Sequence, residues 1–99
     1  MDPKQRATAG SFESSDMLVL VEPVEAGIGR VIELDSVVLS QYGESIRAEV
    51  NRILDLHRVK DAKLVIRDKG ALAPTIAARV ETAIRRALGT QEAGADGAN

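Results

Sequence analysis

The chain has 99 residues, of which 44% are hydrophobic, 28% are charged and only 2% are aromatic. This length suits one domain, whose core must be built from aliphatic side chains. The net charge of −2 provides no general field that attracts nucleic acid or an anionic membrane, and the absence of cysteine excludes disulfides, thiolate catalysis and thiolate-bound metals.

Two strands are predicted in the first 37 residues. Residues 1–9 are polar, and we expect them to form a flexible lead without the apolar run of a signal peptide. The apolar run 17–21 predicts the first strand, and the alternation of apolar and charged residues over 30–37 predicts the second. The sequence between them is rich in turn residues, so we expect the two strands to pair as an antiparallel hairpin.

A change of periodicity predicts the first helix. Apolar residues then recur at steps of three and four, and Gly43 indicates that the regular helix begins near Glu44. The predicted buried stripe contains Leu39, Tyr42, Ile46, Val50, Ile53, Leu54 and His57. Three acid–base pairs on the opposite side, at a spacing of three residues, are typical of a solvated helix face: Glu44–Arg47, Glu49–Arg52 and Asp55–Arg58.

The last two elements complete a two-layer α/β sandwich. Residues 63–67 predict a third strand, and a second helix follows with Pro74 in its first turn and Gly89 as its C-cap. The order ββαβα predicts a three-stranded mixed sheet with both helices on one face. A right-handed crossover should join the second strand to the third. Residues 10–89 would form this domain, and residues 90–99 a disordered tail.

The residues themselves give little sign of catalysis. His57 is the only histidine, so a histidine metal cluster is excluded, and a packing or capping role fits it better than a catalytic triad. We predict no catalytic and no metal-binding residues. The segment 11–16 contains three serines and two acidic residues just before the first strand. Its composition alone favours a hydrated lead-in, with covalent modification of a serine as the functional alternative.

Three segments resemble motifs of a known family. Residues 9–16 read A-G-S-F-E-S-S-D and are similar to A-G-[ST]-x-E-S-G-D, the family's segment around a modified serine. Residues 41–47 resemble Q-[FY]-G-x-x-I-R, and residues 68–72 match D-K-G-A-L. The similarity runs from about residue 7 to residue 88. On these motifs, in this order, the chain resembles the acyl carrier subunit (gamma chain) of citrate lyase.

This resemblance implies a role for each residue of the first motif. Ser14 would be the attachment site of 2'-(5''-phosphoribosyl)-3'-dephospho-coenzyme A through a phosphodiester, and Glu13 and Asp16 would flank it as recognition residues. The family usually has glycine where this chain has Ser15, whose side chain restricts the backbone. The thiol of the attached group would carry acetyl and citryl groups as thioesters.

The resemblance also implies partners and a location. The carrier would be a non-catalytic, cytoplasmic subunit used in citrate fermentation, without contact to nucleic acid or membrane. An alpha subunit (acyl transferase) and a beta subunit (citryl lyase) would use it to cleave citrate to oxaloacetate and acetate. A holo-carrier synthase would attach the prosthetic group.

Three alternatives stay open. The carrier subunit of malonate decarboxylase is similar, and Ser15-Asp16-Met17 partly matches its Gly-Asp-Met. The match at 68–72 favours citrate lyase or the closely similar citramalate lyase. A non-covalent protein-binding adaptor is the alternative from another class, and it would not depend on Ser14.

Overall fold

The computed structural model describes residues 1–37 and 39–89, without the side chains of Leu39 and Ser40. The elements in chain order are β1 (Ala7–Gly10), β2 (Met17–Glu22), β3 (Arg30–Ser36), α1 (Leu39–Leu56), β4 (Ala62–Asp68) and α2 (Ala73–Leu88). The predicted tail, residues 90–99, lies outside the described residues. In the described part of the chain, neither helix is both long and apolar enough to span a membrane.

The sheet has four strands in the order β1-β2-β4-β3, so the prediction of three strands is wrong. The additional strand, β1, contains four small residues, and only Ala9 among them is buried. Such a short strand lacks the alternation by which the others are recognised. β1 also places the predicted boundary at residue 10 inside the sheet.

The predicted hairpin between the first two long strands is also wrong. β4 lies between β2 and β3, pairing antiparallel with β2 and parallel with β3. β4 occupies this central place because α1 returns the chain beside β3 in the parallel direction, and its residues Ala62, Leu64 and Ile66 are fully buried. The loop between β2 and β3 passes the first residue of β4, where the carbonyl of Gly29 accepts a hydrogen bond from the amide of Ala62 at 3.1 Å.

Both helices pack on one face of the sheet, as predicted. α2 contacts β1 and β2, α1 contacts β3, and the helices contact each other. Alternate strand residues point into this layer, and the largest fully buried side chains are Met17, Val19, Val21, Val50, Ile53, Leu54, Val59, Leu64, Ile66, Val80 and Ile84. In the stripe predicted for the first helix, Ile46, Val50, Ile53 and Leu54 are buried, His57 is half-buried and Tyr42 is 54% exposed, and the side chain of Leu39 lies outside the described part of the chain. Gly89 caps α2 in a left-handed conformation (φ 79°).

Residues 1–6 follow a defined course along the domain. Asp2 Oδ1 accepts hydrogen bonds from the amides of Lys60 (2.7 Å) and Asp61 (3.1 Å), and these bonds lower its pKa from 3.8. Pro3 is buried, and the amide of Lys4 donates to the carbonyl of Ala87 at 2.8 Å. The flexibility expected for residues 1–9 remains a prediction, but those residues are not without structure.

Candidate functional site

Ser14 lies in the loop between β1 and β2. The amide of Asp16 donates to the carbonyl of Glu13 at 3.1 Å, so residues 13–16 form a turn with Ser14 and Ser15 at its centre. Both serines are exposed, and within the described residues no hydrogen bond holds the Ser14 hydroxyl. The loop therefore presents a free hydroxyl to solvent at a defined point of the backbone.

Ser15 adopts a left-handed conformation, with φ at 64°. A residue with a Cβ atom is strained there, whereas glycine is not. This is the position at which the sequence departs from the motif that it otherwise resembles. The left-handed backbone gives a physical reason for glycine at position 15, and in this chain Ser15 adopts that conformation.

Asp16 organises the loop through four hydrogen bonds. Arg79 of α2 donates from Nε to Oδ1 (2.8 Å) and from Nη2 to Oδ2 (3.2 Å). The Ser11 hydroxyl donates to Oδ2 at 2.7 Å, and the amide of Met17 donates to Oδ1 at 2.7 Å. Charge-assisted bonds of this kind favour the ionised carboxylate, so Arg79, followed by Ser11 and Met17, holds the pKa of Asp16 far below its ordinary 3.8.

The end of β4 holds the same loop from the other side. The amide of Ser15 donates to the carbonyl of Lys69 at 2.8 Å, and the amide of Lys69 donates to the carbonyl of Asp16 at 2.9 Å. These bonds extend the β2–β4 ladder by one step. Buried Asp68 supports this segment, because its carboxylate accepts bonds from the Ser36 hydroxyl (2.7 Å) and the Ala71 amide (2.9 Å).

Gly10 allows the loop to leave β1. Its φ is 91°, and a Cβ atom built on it would lie 1.7 Å from the carbonyl oxygen of Met17. No side chain fits at that distance. Next to it, the amide of Ser11 donates to the same carbonyl at 3.2 Å and closes the base of the loop.

The structure therefore brings Glu13, Ser14 and Asp16 together in one turn but gives them different surroundings. Glu13 is exposed beside Ser14, whereas the side chain of Asp16 is only 15% exposed and faces Arg79. Arg79 cannot be assigned to this site from local sequence, because it lies 63 residues from Asp16. Only its place one turn after Ile76 in α2 could have suggested that it reaches the sheet end.

A groove opens near this loop, between α1 and the start of α2. Its volume is about 580 Å³, and its lining is mainly apolar: Tyr42, Ser45, Ile46, Glu49, Gly70, Ala71, Leu72, Ala73 and Ile76. A second, more polar pocket of about 440 Å³ lies against Phe12 of the loop and the ends of β3 and β4.

His57 lines neither pocket, and its side chain contacts α2 instead. Its Nε2 atom lies 3.3 Å from Glu81 Oε2, so it joins α1 to α2. Across residues 1–37 and 39–89, no group of three or more His, Cys, Asp or Glu side chains is arranged to hold a metal ion.

Comparison with known proteins identifies relatives along nearly the whole chain. Residues 4–87 match the acyl carrier protein family model described as malonate decarboxylase delta subunit (MdcD). The citrate lyase acyl carrier protein of Treponema denticola is 47% identical over 88% of this chain and 97% of its own. That of Streptococcus equi subsp. equi is 46% identical, covering 92% and 88%, and that of Vibrio cholerae is 47% identical, covering 86% of each.

The fold has a counterpart among solved structures. A chain in the crystal structure of a Pseudomonas malonate decarboxylase hetero-tetramer in complex with malonate superposes with a TM-score of 0.72. The match covers 86% of this chain and 87% of the other, with 24% sequence identity. At this identity the likeness establishes a common fold.

Proposed function

Because the chain belongs to the family of citrate lyase acyl carrier proteins, we propose that it carries acyl groups for a citrate-cleaving complex on a prosthetic group attached at Ser14. The observation that carries this proposal is the exposed Ser14 on a backbone held from both sides. Asp16 connects the loop to Arg79 of α2, and Ser15 connects it to Lys69 after β4.

The acyl carrier family implies a covalently attached prosthetic group, and we propose 2'-(5''-phosphoribosyl)-3'-dephospho-coenzyme A. The residues present fit such a group: the Ser14 hydroxyl is available for a phosphodiester, and the loop leaves its side chain in solvent. When attached, the group supplies the thiol for thioester chemistry that this cysteine-free chain lacks. The chain contributes the attachment point and its orientation.

The flanking residues take separate roles in this proposal. Glu13 is exposed next to Ser14 and is available to a holo-carrier synthase as a recognition residue. Asp16 acts mainly from inside, because all four of its hydrogen bonds are to this chain. It would present Ser14 to the synthase rather than contact it through a free carboxylate.

We propose an alpha acyl transferase subunit and a beta citryl lyase subunit as partners, and the cytoplasm as the location. In that complex this chain is a carrier and not a catalytic subunit. Tethering keeps the acyl group at a high effective concentration as it passes between the active sites.

A malonate decarboxylase complex is the second candidate, favoured by the description of the matching family model. The relatives at 46% and 47% identity are citrate lyase carriers, whereas the malonate decarboxylase chain is 24% identical. Citrate lyase is therefore the first choice. Reconstitution with each set of partner subunits, assayed with citrate, citramalate and malonate, distinguishes the systems.

Intact-protein mass spectrometry tests the attachment. We expect chain purified from citrate-grown host cells to carry the mass of the phosphoribosyl-dephospho-coenzyme A group, mapped to Ser14. Ser14→Ala should lose both the mass increment and lyase activity of the complex. Ser15→Gly is the matched control, because it suits the left-handed backbone and should keep both. An increment that persists in Ser14→Ala, or an unmodified native chain, would refute the proposal.

A further inference from the structure

The groove between α1 and the start of α2 presents apolar side chains that no element of the described chain covers. Ile46 and Ile76 form its buried floor, and Tyr42 and Leu72 stand at its edge with 54% and 73% of their surface exposed. Its volume of about 580 Å³ is within the range of about 300–1,000 Å³ typical of small-molecule sites. Exposed aromatic and leucine side chains around an apolar floor are typical of a binding surface.

The groove and the Ser14 loop share supporting elements. Lys69, which exchanges backbone hydrogen bonds with Ser15 and Asp16, is followed directly by Gly70 and Ala71 of the groove lining. On α2, Ile76 of the groove floor lies one turn before Arg79, which binds Asp16. A group attached at Ser14 therefore starts at the same end of the domain as the groove, on a loop held by the residues that flank the groove lining.

From this placement we propose that the groove binds the thiol-bearing end of the group attached at Ser14, between its visits to partner enzymes. This inference rests on the attachment proposed above. The pantetheine portion combines a branched aliphatic centre with amides, which suits an apolar groove with the Ser45 hydroxyl on its lining. Covalent tethering makes even a weak site effective, because a short flexible tether gives an effective concentration in the millimolar range.

In the described part of the chain, no side chain fills the groove, and the sequence that follows it is a poor match for an apolar surface. Residues 90–99, T-Q-E-A-G-A-D-G-A-N, contain no large apolar side chain. They also follow Gly89, at the opposite end of the 16-residue helix α2, about 24 Å along the helix from Ala73 at a rise of 1.5 Å per residue. Residues 90–99 are therefore poorly suited in composition to occupy the apolar groove.

Tyr42 provides a direct probe, since it is the only tyrosine and the chain has no tryptophan. The experiment compares the apo chain with the chain modified by its synthase, verified by mass. Acrylamide quenching of Tyr42 fluorescence and the reaction rate of the arm thiol with a disulfide reagent are measured on both. At this effective concentration, a site with a Kd near 1 mM would be about half occupied. Quenching of Tyr42 should then be about twofold slower in the modified chain than in the apo chain. The arm thiol should react about twofold more slowly than the thiol of free coenzyme A.

Leu72→Glu and Leu56→Glu form a matched pair of variants. Leu72 lines the groove, whereas Leu56 at the end of α1 is 66% exposed and does not. Because both positions are solvent-exposed, we expect both variants to fold. Leu72→Glu should abolish the protection of Tyr42 and of the thiol, and Leu56→Glu should retain it.

The outcomes separate this inference from the proposed function. Protection that is lost in Leu72→Glu alone supports the groove site. A chain that carries the group on Ser14 but shows unprotected Tyr42 and a thiol as reactive as coenzyme A overturns the groove site and leaves the carrier role intact. Protection lost equally in Leu56→Glu also overturns it. The absence of any group on Ser14 overturns both proposals.

Discussion

Replacement of Gly10 by alanine tests whether the close approach of two strands at the base of the Ser14 loop is required for the fold. The new Cβ atom would lie 1.7 Å from the carbonyl oxygen of Met17, and φ at this residue is 91°. Gly27→Ala is a matched control, because Gly27 has φ at 92° but no atom within 4 Å of the corresponding Cβ. The two variants share the backbone strain and differ in the steric contact.

The structure allows the two costs to be estimated separately. A left-handed conformation costs an alanine about 1–2 kcal/mol, partly offset by the lower entropy of its unfolded chain, so Gly27→Ala should lose about 1 kcal/mol. Gly10→Ala must also displace the Met17 carbonyl, which accepts the Ser11 amide at 3.2 Å. Displacement strain and a lost hydrogen bond together cost at least about 2 kcal/mol more.

Thermal and urea unfolding of both variants measure this difference. For a domain of this size, about 2 kcal/mol corresponds to a melting temperature about 8–16 °C below that of the control. Equal destabilisation of Gly10→Ala and Gly27→Ala would refute the steric argument, since backbone strain alone would then explain both. A folded Gly10→Ala chain with native stability would show that β1 does not approach Met17 as described.

Three further predictions concern the same loop and the core. Ser15→Gly should raise the free energy of unfolding in urea by up to about 1 kcal/mol. The relief of backbone strain at φ 64° should exceed the extra conformational entropy that glycine loses on folding. A loss of stability would contradict this. In Arg79→Met, carboxyl NMR titration should show the pKa of Asp16 rising toward 3.8, since the native lowering comes first from Arg79; an unchanged midpoint would exclude that cause. In the native chain, stability from this carboxylate is present above its unfolded pKa and is lost as the pH falls through the lowered folded pKa. Leu64→Ala, in the central strand, should lose about 2–5 kcal/mol on unfolding, and a loss below about 1 kcal/mol would argue against a packed core there.

Local periodicity was enough to predict most of the elements. β2 and β4 bury alternate residues, β3 half-buries them, and α2 buries one stripe, and those patterns are present in short windows of sequence. The order of the strands is a different matter, since β4 pairs with β2 across about forty residues of chain. No local pattern specifies such a pairing, and a four-residue strand such as β1 gives almost no pattern at all.

The candidate site divides in the same way. Motif resemblance identified Ser14 and its neighbours, because they are contiguous in sequence. The connection of Arg79 to Asp16 is not visible in the sequence, because it exists only after α2 has packed against β1 and β2. In the sequence the D-K-G-A-L segment, residues 68–72, is recognisable only as a family motif, whereas in the structure it supports the Ser14 loop. The backbone of Lys69 holds the loop, and Asp68 holds that backbone.

The surroundings of Ser14 combine a fixed backbone with a free side chain, and this combination suits a carrier that several enzymes must reach. The amide of Ser15 is bonded to Lys69, the amide of Ser11 is bonded to Met17, and Arg79 fixes the Asp16 carboxylate, so little loop entropy remains to be lost when a partner binds. The Ser14 hydroxyl itself makes no such bond within the described residues. An attached arm would then begin at the same point and in the same direction for every partner, and its own length would supply the reach between active sites. Arg79→Met separates these properties, because it loosens the backbone without touching the hydroxyl. Slower modification of Ser14 in that variant, measured at a temperature where the chain is still fully folded, would show that the fixed geometry of the loop serves recognition as well as stability.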